Sequence, residues 1–185
     1  MIRFLQWLDS INEGVGRVIS WLTLAMVVVT FAVVVLRYQF NMGSIAMQES
    51  ITYMHGLLFM LGAGYTLRHE GHVRVDLFYR PRPPKTQALI NLLGTFFLLF
   101  PLMIFLLIIS FDYVAASWSI HEGSREAGGL EGVWLLKSAL LIMPVLMILQ
   151  GVAQAGKAVL ILKGQEIPGL TRGDAAKEPR EQEQA

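Results

Sequence analysis

Four apolar runs divide the chain, and each has the length of a membrane span. They cover about residues 18–36, 50–67, 87–111 and 138–162. An α-helix needs about 20 mostly apolar residues to cross the hydrocarbon core of a bilayer. Lipid offers the backbone no hydrogen bonds, so a helix is the expected form for each run. The pattern therefore predicts an all-α integral membrane protein whose four transmembrane helices occupy residues 18–163.

The segment before the first span, residues 1–17, has a two-sided pattern. Its apolar residues recur at intervals of three and four, and its polar residues fall elsewhere on the helical wheel: Phe4, Leu8, Ile11 and Val15 against Arg3, Gln6, Asp9, Asn12 and Glu13. This favours a short amphipathic helix in the membrane interface, with Trp7 at headgroup depth. A frayed polar leader is the alternative. At the other end, residues 164–185 lack periodicity and are predicted to form a disordered cytoplasmic tail.

Composition supports a membrane protein and excludes some chemistry. Of the 185 residues, 54% are hydrophobic and 16% are charged, whereas soluble domains carry about a quarter charged residues. The chain has no cysteine, which excludes disulfides, thiol catalysis and thiolate metal sites.

The distribution of Lys and Arg predicts the orientation. The loop between the second and third spans carries five of them: Arg68, Arg74, Arg80, Arg82 and Lys85. The loop between the third and fourth spans carries only Arg125, together with four acids: Asp112, Glu122, Glu126 and Glu131. Short loops rich in Lys and Arg stay in the cytoplasm. Both termini and the middle loop are therefore predicted to be cytoplasmic, which agrees with an even number of spans.

Glu49 is the acid at the entrance of the second span. A carboxylate within hydrocarbon is costly and is usually paired or functional, but at the boundary its side chain can reach water. Pairing with Arg37 across the short first loop, or helix capping, is the main interpretation. Contact with a partner subunit and a coupling-ion site remain as alternatives.

The four histidines are candidate ligands of a haem or a metal ion. His55 lies about two turns into the second span, but a haem in a membrane bundle usually needs two facing histidines, and His69, His72 and His121 fall in loops. His69 and His72 resemble a metal pair, yet Gly71 breaks the helical register and no second cluster completes a coordination shell. The pattern predicts neither a cofactor nor a metal site.

Small residues in the second and fourth spans predict close helix packing. They are Gly56, Gly62, Ala63 and Gly64, and Gly151, Ala155 and Gly156. No P-loop, nucleophile elbow or paired buried carboxylates are present, and the two helical hairpins share no internal repeat of the kind found in secondary transporters. The chain is therefore predicted not to be an enzyme, and not to transport a substrate by itself.

Three features of the chain form a recognisable combination. One is the end of the first span, Arg37-Tyr38-Gln39-Phe40-Asn41, followed by Glu49. Another is Leu61-Gly62-Ala63-Gly64-Tyr65-Thr66-Leu67-Arg68, which leads into His72-Val73-Arg74-Val75-Asp76. The third is the four-span layout over residues 15–163. Together they resemble the small membrane subunit (DctQ-like, or Q subunit) of tripartite ATP-independent periplasmic (TRAP) transporters. That family often has an aromatic residue just before the acid, where this chain has Met47-Gln48.

The resemblance implies a noncatalytic subunit of the bacterial inner membrane. Such a subunit braces a large multi-span permease, which carries the substrate and sodium sites, while a periplasmic binding protein delivers a small organic acid. Residues Tyr38 to Gln48 and the acidic third loop would then face the binding protein, and the basic middle loop would contact membrane lipids. Structural or interface roles are implied for Arg37, Glu49, Gly62, Gly64, Arg68, His72, Arg74 and Asp76, with Arg74 and Asp76 fixing the middle loop through hydrogen bonds. The segment 124–130 resembles members of the family associated with 2-oxo acids or similar carboxylates.

Two other functions remain open from the sequence. One is a four-helix anchor of a membrane oxidoreductase that binds haem or quinone, which would use His55. The other is a small self-sufficient exporter that works as an oligomer and uses Glu49.

Overall fold

The computed structural model describes residues 2–73 and 76–165, apart from the side chains of Asp76 and Phe78. Every regular element in these ranges is helical, as the sequence predicts. The elements are α1 (Ile2–Gln39), α2 (Ile45–Arg68), α3 (Asp76–Tyr79), α4 (Pro84–Gly94), α5 (Phe100–Ser119) and α6 (Val133–Leu162), with a π-helical turn, Thr95–Leu99, between α4 and α5.

Three helical segments in the described part of the chain are long and apolar enough to cross a membrane. They are Ile2–Gln39, Pro84–Ser119 and Val133–Leu162. Helix α2 has 24 residues, which makes it about 36 Å long, but polar side chains such as Gln48 and His55 lower its hydropathy. Three of the four predicted spans therefore lie in helices of sufficient length and hydropathy, and a span at 50–67 stays a prediction.

The structure differs from the prediction at the N-terminus. Residues 2–17 do not form a separate short helix but are the first turns of α1, which continues without a break to Gln39. One face of these turns is buried, including Leu8 and the polar residues Asp9 and Asn12. The helical wheel places these two polar side chains away from the apolar stripe. They are buried because α6 provides polar partners for them, as described below. Trp7 remains exposed.

Helix α6 is the centre of the bundle. It contacts α1 and α2 on one side and α4, the π-helical turn and α5 on the other, while α1 and α2 pack against each other. Its buried positions are mostly small or apolar, for example Ala139, Leu146 and Ala153. The α1–α2 hairpin is thus joined to α4 and α5 mainly through α6.

Glycines bring the helices into close contact. A Cβ atom on Gly16 of α1 would lie 2.2 Å from Cδ2 of Tyr65 in α2, and one on Gly64 would lie 2.1 Å from Oδ1 of Asn12. A Cβ atom on Gly62 would meet Ile19 at 3.4 Å. The small residues predicted to allow close packing in α2 therefore make their contacts within this chain.

Candidate functional site

The antiparallel helices gather the polar side chains at two ends of the bundle. We call one the basic end; it contains the start of α1, the end of α2, residues 69–73 and 76–85, and the end of α6. We call the other the acidic end; it contains the loops 40–44 and 120–132. Each end has a cluster of hydrogen bonds that joins residues far apart in sequence.

A buried network at the basic end joins α1 to α6. The Asp9 carboxylate accepts hydrogen bonds from Lys157 Nζ at 2.5 Å and from Gln150 Nε2 at 3.0 Å. Gln150 Oε1 in turn accepts one from Asn12 Nδ2 at 3.1 Å. Asn12 and Gln150 are fully buried, and the side chains of Asp9 and Lys157 are only 11% and 12% exposed. The two opposite charges are thus paired where water has little access.

A second set of contacts at the basic end joins α1 to α2. Arg68 Nη1 donates to the backbone oxygen of Asp9 at 3.1 Å and to Glu13 Oε2 at 2.5 Å. Glu13 Oε2 also lies 2.9 Å from His69 Nε2. On the facing helix, Gln154 Nε2 donates to the oxygen of Leu67, the last carbonyl but one of α2. The Gln154 bond reaches one of the last carbonyls of α2, which have no partner within the helix. The Arg68 and His69 contacts tie the same end of α2 to α1.

The buried network stabilises the packing of α1 on α6. Removing one partner of a buried ion pair leaves an uncompensated charge and typically costs about 3–5 kcal/mol. Asn12 Oδ1 is a buried atom without a conventional hydrogen-bond partner in the described structure, and it lies beside Gly64. A side chain at position 64 would occupy the space of this amide. The buried network thus fixes α1, α2 and α6 against one another, and its side chains fill the space between these helices.

The other predicted residues of the middle loop are placed differently. His72 is exposed and lines a groove described below. Arg74 lies outside the described residues, and Asp76 begins the short helix α3, with its side chain not described. The predicted hydrogen bonds of Arg74 and Asp76 therefore stay predictions, as does the disorder of the tail, of which residues 166–185 are outside the description.

Glu49 holds the loop 120–132 at the acidic end. Its carboxylate accepts hydrogen bonds from Ser124 Oγ and, at 2.7 Å, from the backbone N–H of Leu130. Ser124 N donates to the oxygen of Leu130 at 2.9 Å, which closes the loop on itself. A Cβ atom on Gly129 would lie 2.6 Å from Glu49 Oε2, so a glycine is needed where the backbone passes the carboxylate.

These contacts correct the interpretation of Glu49. The expected partner was Arg37, but the described bonds of the Glu49 carboxylate go to the loop between α5 and α6. Arg37 is an exposed residue near the end of α1. Glu49 is also not the cap of α2, because Ser44 is the N-cap and its hydroxyl accepts from Met47 N.

The same loop is anchored to α5 and α6 by a second group of contacts. Lys137 Nζ donates to Glu122 Oε2 at 2.5 Å and lies 4.0 Å from the centre of the Tyr113 ring. The hydrogen bond from Lys137 holds the pKa of the Glu122 carboxyl below its ordinary value of 4.5. The Trp118 and Trp134 rings meet edge to face with centroids 4.4 Å apart.

His55, His69 and His121 lie in three different parts of the fold. His55 is exposed in the middle of α2, His69 contacts Glu13 at the basic end, and His121 packs on Trp134 at the acidic end. Within the described residues, no group of three or more His, Cys, Asp or Glu side chains has the geometry to hold a metal ion.

The sequence pattern did not predict that several residues of the two clusters bind one another. They are Asp9, Asn12, Gln150, Gln154 and Lys157 at the basic end, and Glu122, Ser124 and Lys137 at the acidic end. One signal was available: Gln150, Gln154 and Lys157 recur at intervals of four and three and so form a polar stripe on an otherwise apolar helix. Polar side chains at membrane depth usually need hydrogen-bond or charge partners. The polar residues in the first turns of α1 are candidates for these partners.

Comparison with known families gives a match over most of the chain. Residues 26–160 match the model of the family described as "Tripartite ATP-independent periplasmic transporters, DctQ component". The chain belongs to this family. The match covers α1 from residue 26 onward, all of α2, α4 and α5, and most of α6, so it includes Glu49 with its loop and Arg68. The first turns of α1, with Asp9 and Glu13, precede the matched range.

A curated relative gives the same family. The chain is 31% identical over 89 residues to the C4-dicarboxylate TRAP transporter small permease protein DctQ of Vibrio cholerae serotype O1 (strain ATCC 39315 / El Tor Inaba N16961). The aligned region covers 48% of this chain and 37% of that protein. No solved structure matches the chain.

Proposed function

We propose that this DctQ-family chain is the noncatalytic scaffold of a sodium-coupled TRAP transporter. It braces a large multi-span permease subunit that carries the substrate and sodium sites. A periplasmic binding protein delivers a small organic acid to this pair. The name of the curated relative makes a C4-dicarboxylate the first candidate substrate, and the 124–130 segment adds 2-oxo acids as a second candidate.

The main support is that the polar side chains between the helices bind one another. Asp9 is bound by Lys157 and Gln150, and Glu13 is bound by Arg68. A substrate path needs polar groups that are free to bind a ligand, whereas these groups hold helices together. A bundle whose internal polar groups are occupied in this way is suited to a rigid support.

The outer surface supports partners in the membrane. Large apolar side chains are exposed along α1 and along the α4–α5 segment, such as Trp21 at 70%, Phe31 at 69%, Phe97 at 73% and Ile108 at 71%. Surfaces of this kind are stable in contact with lipid or with the helices of another membrane protein. The large subunit is expected to cover part of this surface and lipid the rest.

The charge distribution supports an orientation. The basic end carries the residues that favour the cytoplasm, so both termini are cytoplasmic and the acidic end is periplasmic. In this orientation α2 is the fourth span. The loop 120–132, clamped by Glu49, and the exposed Tyr38, Phe40 and Met42 form the surface offered to the binding protein.

Affinity purification in mild detergent tests the assignment. The chain, tagged at its cytoplasmic C-terminus in the native host, is expected to co-purify in stoichiometric amount with a protein of ten or more spans. Deletion of the chain is expected to abolish uptake of the organic acid. A chain that purifies alone, from cells whose uptake does not depend on it, contradicts the proposal.

A further inference from the structure

A groove opens between α6 and the α4–α5 segment, beside the end of α2. Its volume is about 730 Å³, which lies within the range of about 300–1,000 Å³ typical of small-molecule sites. A Cβ atom on Gly94, in the wall of the groove, would meet no atom within 4 Å. The groove is therefore open space and not a tightly packed contact between helices.

The lining changes from polar to apolar along the groove. Its polar residues lie toward the basic end and include Tyr79, Asn91 and Gln154. Farther from that end the wall is apolar, with Leu98 and Leu102 from one side and Met147 from α6 on the other. An occupant that matches this lining has a polar part at the basic end and an apolar part that extends along α5.

A basic turn is fixed at the polar end of the groove. Gln87 Nε2 lies within hydrogen-bond distance of the backbone oxygens of Tyr79, Arg80 and Arg82, at 3.3, 3.3 and 2.9 Å. Asn91 Nδ2 donates to the Tyr79 hydroxyl at 2.8 Å. These bonds hold the turn against α4, and Tyr79 and Asn91 of this arrangement line the groove. The turn also carries Arg82, and the first turn of α4 carries Lys85; both side chains are exposed. Between Asp76 and Asp112 the chain contains no Asp or Glu.

We propose that this groove binds one anionic phospholipid of the surrounding membrane. An acyl chain lies along the apolar wall at Leu98, Leu102 and Met147, and the phosphate of the headgroup lies against Arg82 and Lys85. Basic pockets between helices at the cytoplasmic side of a membrane bind anionic headgroups in this way. The inference rests on the proposed membrane orientation, but it does not depend on the identity of the transported substrate or on the large subunit.

Filling the groove tests the acyl site. Gly94→Leu adds a side chain to the open space, and Gly14→Leu is the matched control, because a Cβ atom on the exposed Gly14 also meets nothing within 4 Å. The full chain is purified in detergent and titrated with phosphatidylglycerol or with phosphatidylcholine, and bound lipid is counted by native mass spectrometry. Wild type and Gly14→Leu are expected to retain one phosphatidylglycerol, and Gly94→Leu is expected to lose it while keeping the wild-type helix content by circular dichroism.

Removing the cations tests the headgroup site. The double variant Arg82→Ala/Lys85→Ala is compared with Arg3→Ala/Lys163→Ala, which removes two exposed cations elsewhere. Each Lys or Arg near an anionic lipid contributes about 1 kcal/mol, so the preference for phosphatidylglycerol over phosphatidylcholine is expected to fall by roughly ten- to thirtyfold in the first variant only.

Three results overturn the inference. Equal retention of the two lipids by the wild type would show that the site does not recognise the negative charge of the headgroup. Unchanged retention of phosphatidylglycerol by a folded Gly94→Leu variant would show that the lipid does not bind in the groove. A groove that excludes lipid because a helix of the co-purified permease occupies it, as shown by cross-linking from position 94, assigns it to a protein partner. None of these results alters whether the permease co-purifies, so the scaffold function is judged separately.

Discussion

The contact between α1 and α2 at Gly16 yields the most sharply controlled prediction. A Cβ atom on Gly16 would lie 2.2 Å from Cδ2 and 2.8 Å from Cβ of Tyr65. Rotation of the Tyr65 side chain moves the ring but not its Cβ atom, which is fixed to the backbone of α2. The variant Gly16→Ala therefore has to push the two helices apart.

The expected size of the effect follows from a matched pair of substitutions. Gly16 and Gly14 lie two residues apart in the interior of α1, and only Gly14 has open space around its Cβ position. Replacing glycine by alanine in a helix contributes about 1 kcal/mol of stability at either position. Overpacking at position 16 costs about 1–3 kcal/mol. The gain in helix propensity cancels in the comparison, so Gly16→Ala should be less stable than Gly14→Ala by about 1–3 kcal/mol.

Thermal unfolding in detergent, followed by tryptophan fluorescence, measures this difference. At about 2–4 °C per kcal/mol for a chain of this size, the two variants should differ in Tm by roughly 2–12 °C. Gly156→Ala should be intermediate, because the three atoms nearest to its Cβ position all belong to the flexible side chain of Leu5. Equal Tm values for Gly14→Ala and Gly16→Ala would show that α1 and α2 do not approach closely at this point.

Three further predictions concern the polar clusters. Lys157→Met leaves Asp9 without its cation and should destabilise the chain by about 3–5 kcal/mol, whereas adding Asp9→Leu should recover part of the loss in the same unfolding assay; full additivity would exclude a direct pair. Glu49→Gln removes the negative charge of the carboxylate that accepts two hydrogen bonds from loop 120–132. Limited proteolysis of that loop should become faster, and an unchanged cleavage rate would contradict the role of Glu49. Because its pKa is lowered in the folded state, Glu122 should stabilise the fold above its ordinary pKa of 4.5 and lose that effect as the pH falls through the folded-state pKa. The Tm difference between wild type and Glu122→Gln should therefore disappear in acid, and a difference that grows on acidification would contradict the pair with Lys137.

The sequence pattern was sufficient for the helices because hydropathy is a local property. The apolar runs at 18–36, 87–111 and 138–162 lie inside α1, the α4–α5 segment and α6. The role of Gly62 and Gly64 in close packing could also be predicted, because small residues let neighbouring helices approach closely.

The partners of the polar residues could not be predicted in the same way. Asp9 and Lys157 are 148 residues apart, and the pattern around each describes only its own helix. The wheel places Asp9 and Asn12 away from the apolar stripe, but it does not show that the facing helix is itself polar at Gln150. Glu49 was linked to Arg37 because the two are close in sequence, whereas the fold brings it to Ser124, 75 residues away.

Reconstitution into sodium-gradient vesicles most directly tests whether the chain is a scaffold. Vesicles are prepared with this chain alone, with the co-purified permease alone, and with both, and uptake of C4-dicarboxylates and 2-oxo acids is measured in the presence of the binding protein. The scaffold function predicts sodium-dependent uptake only when both membrane proteins are present. Uptake by vesicles that contain this chain alone, or full uptake by the permease without it, would contradict that function.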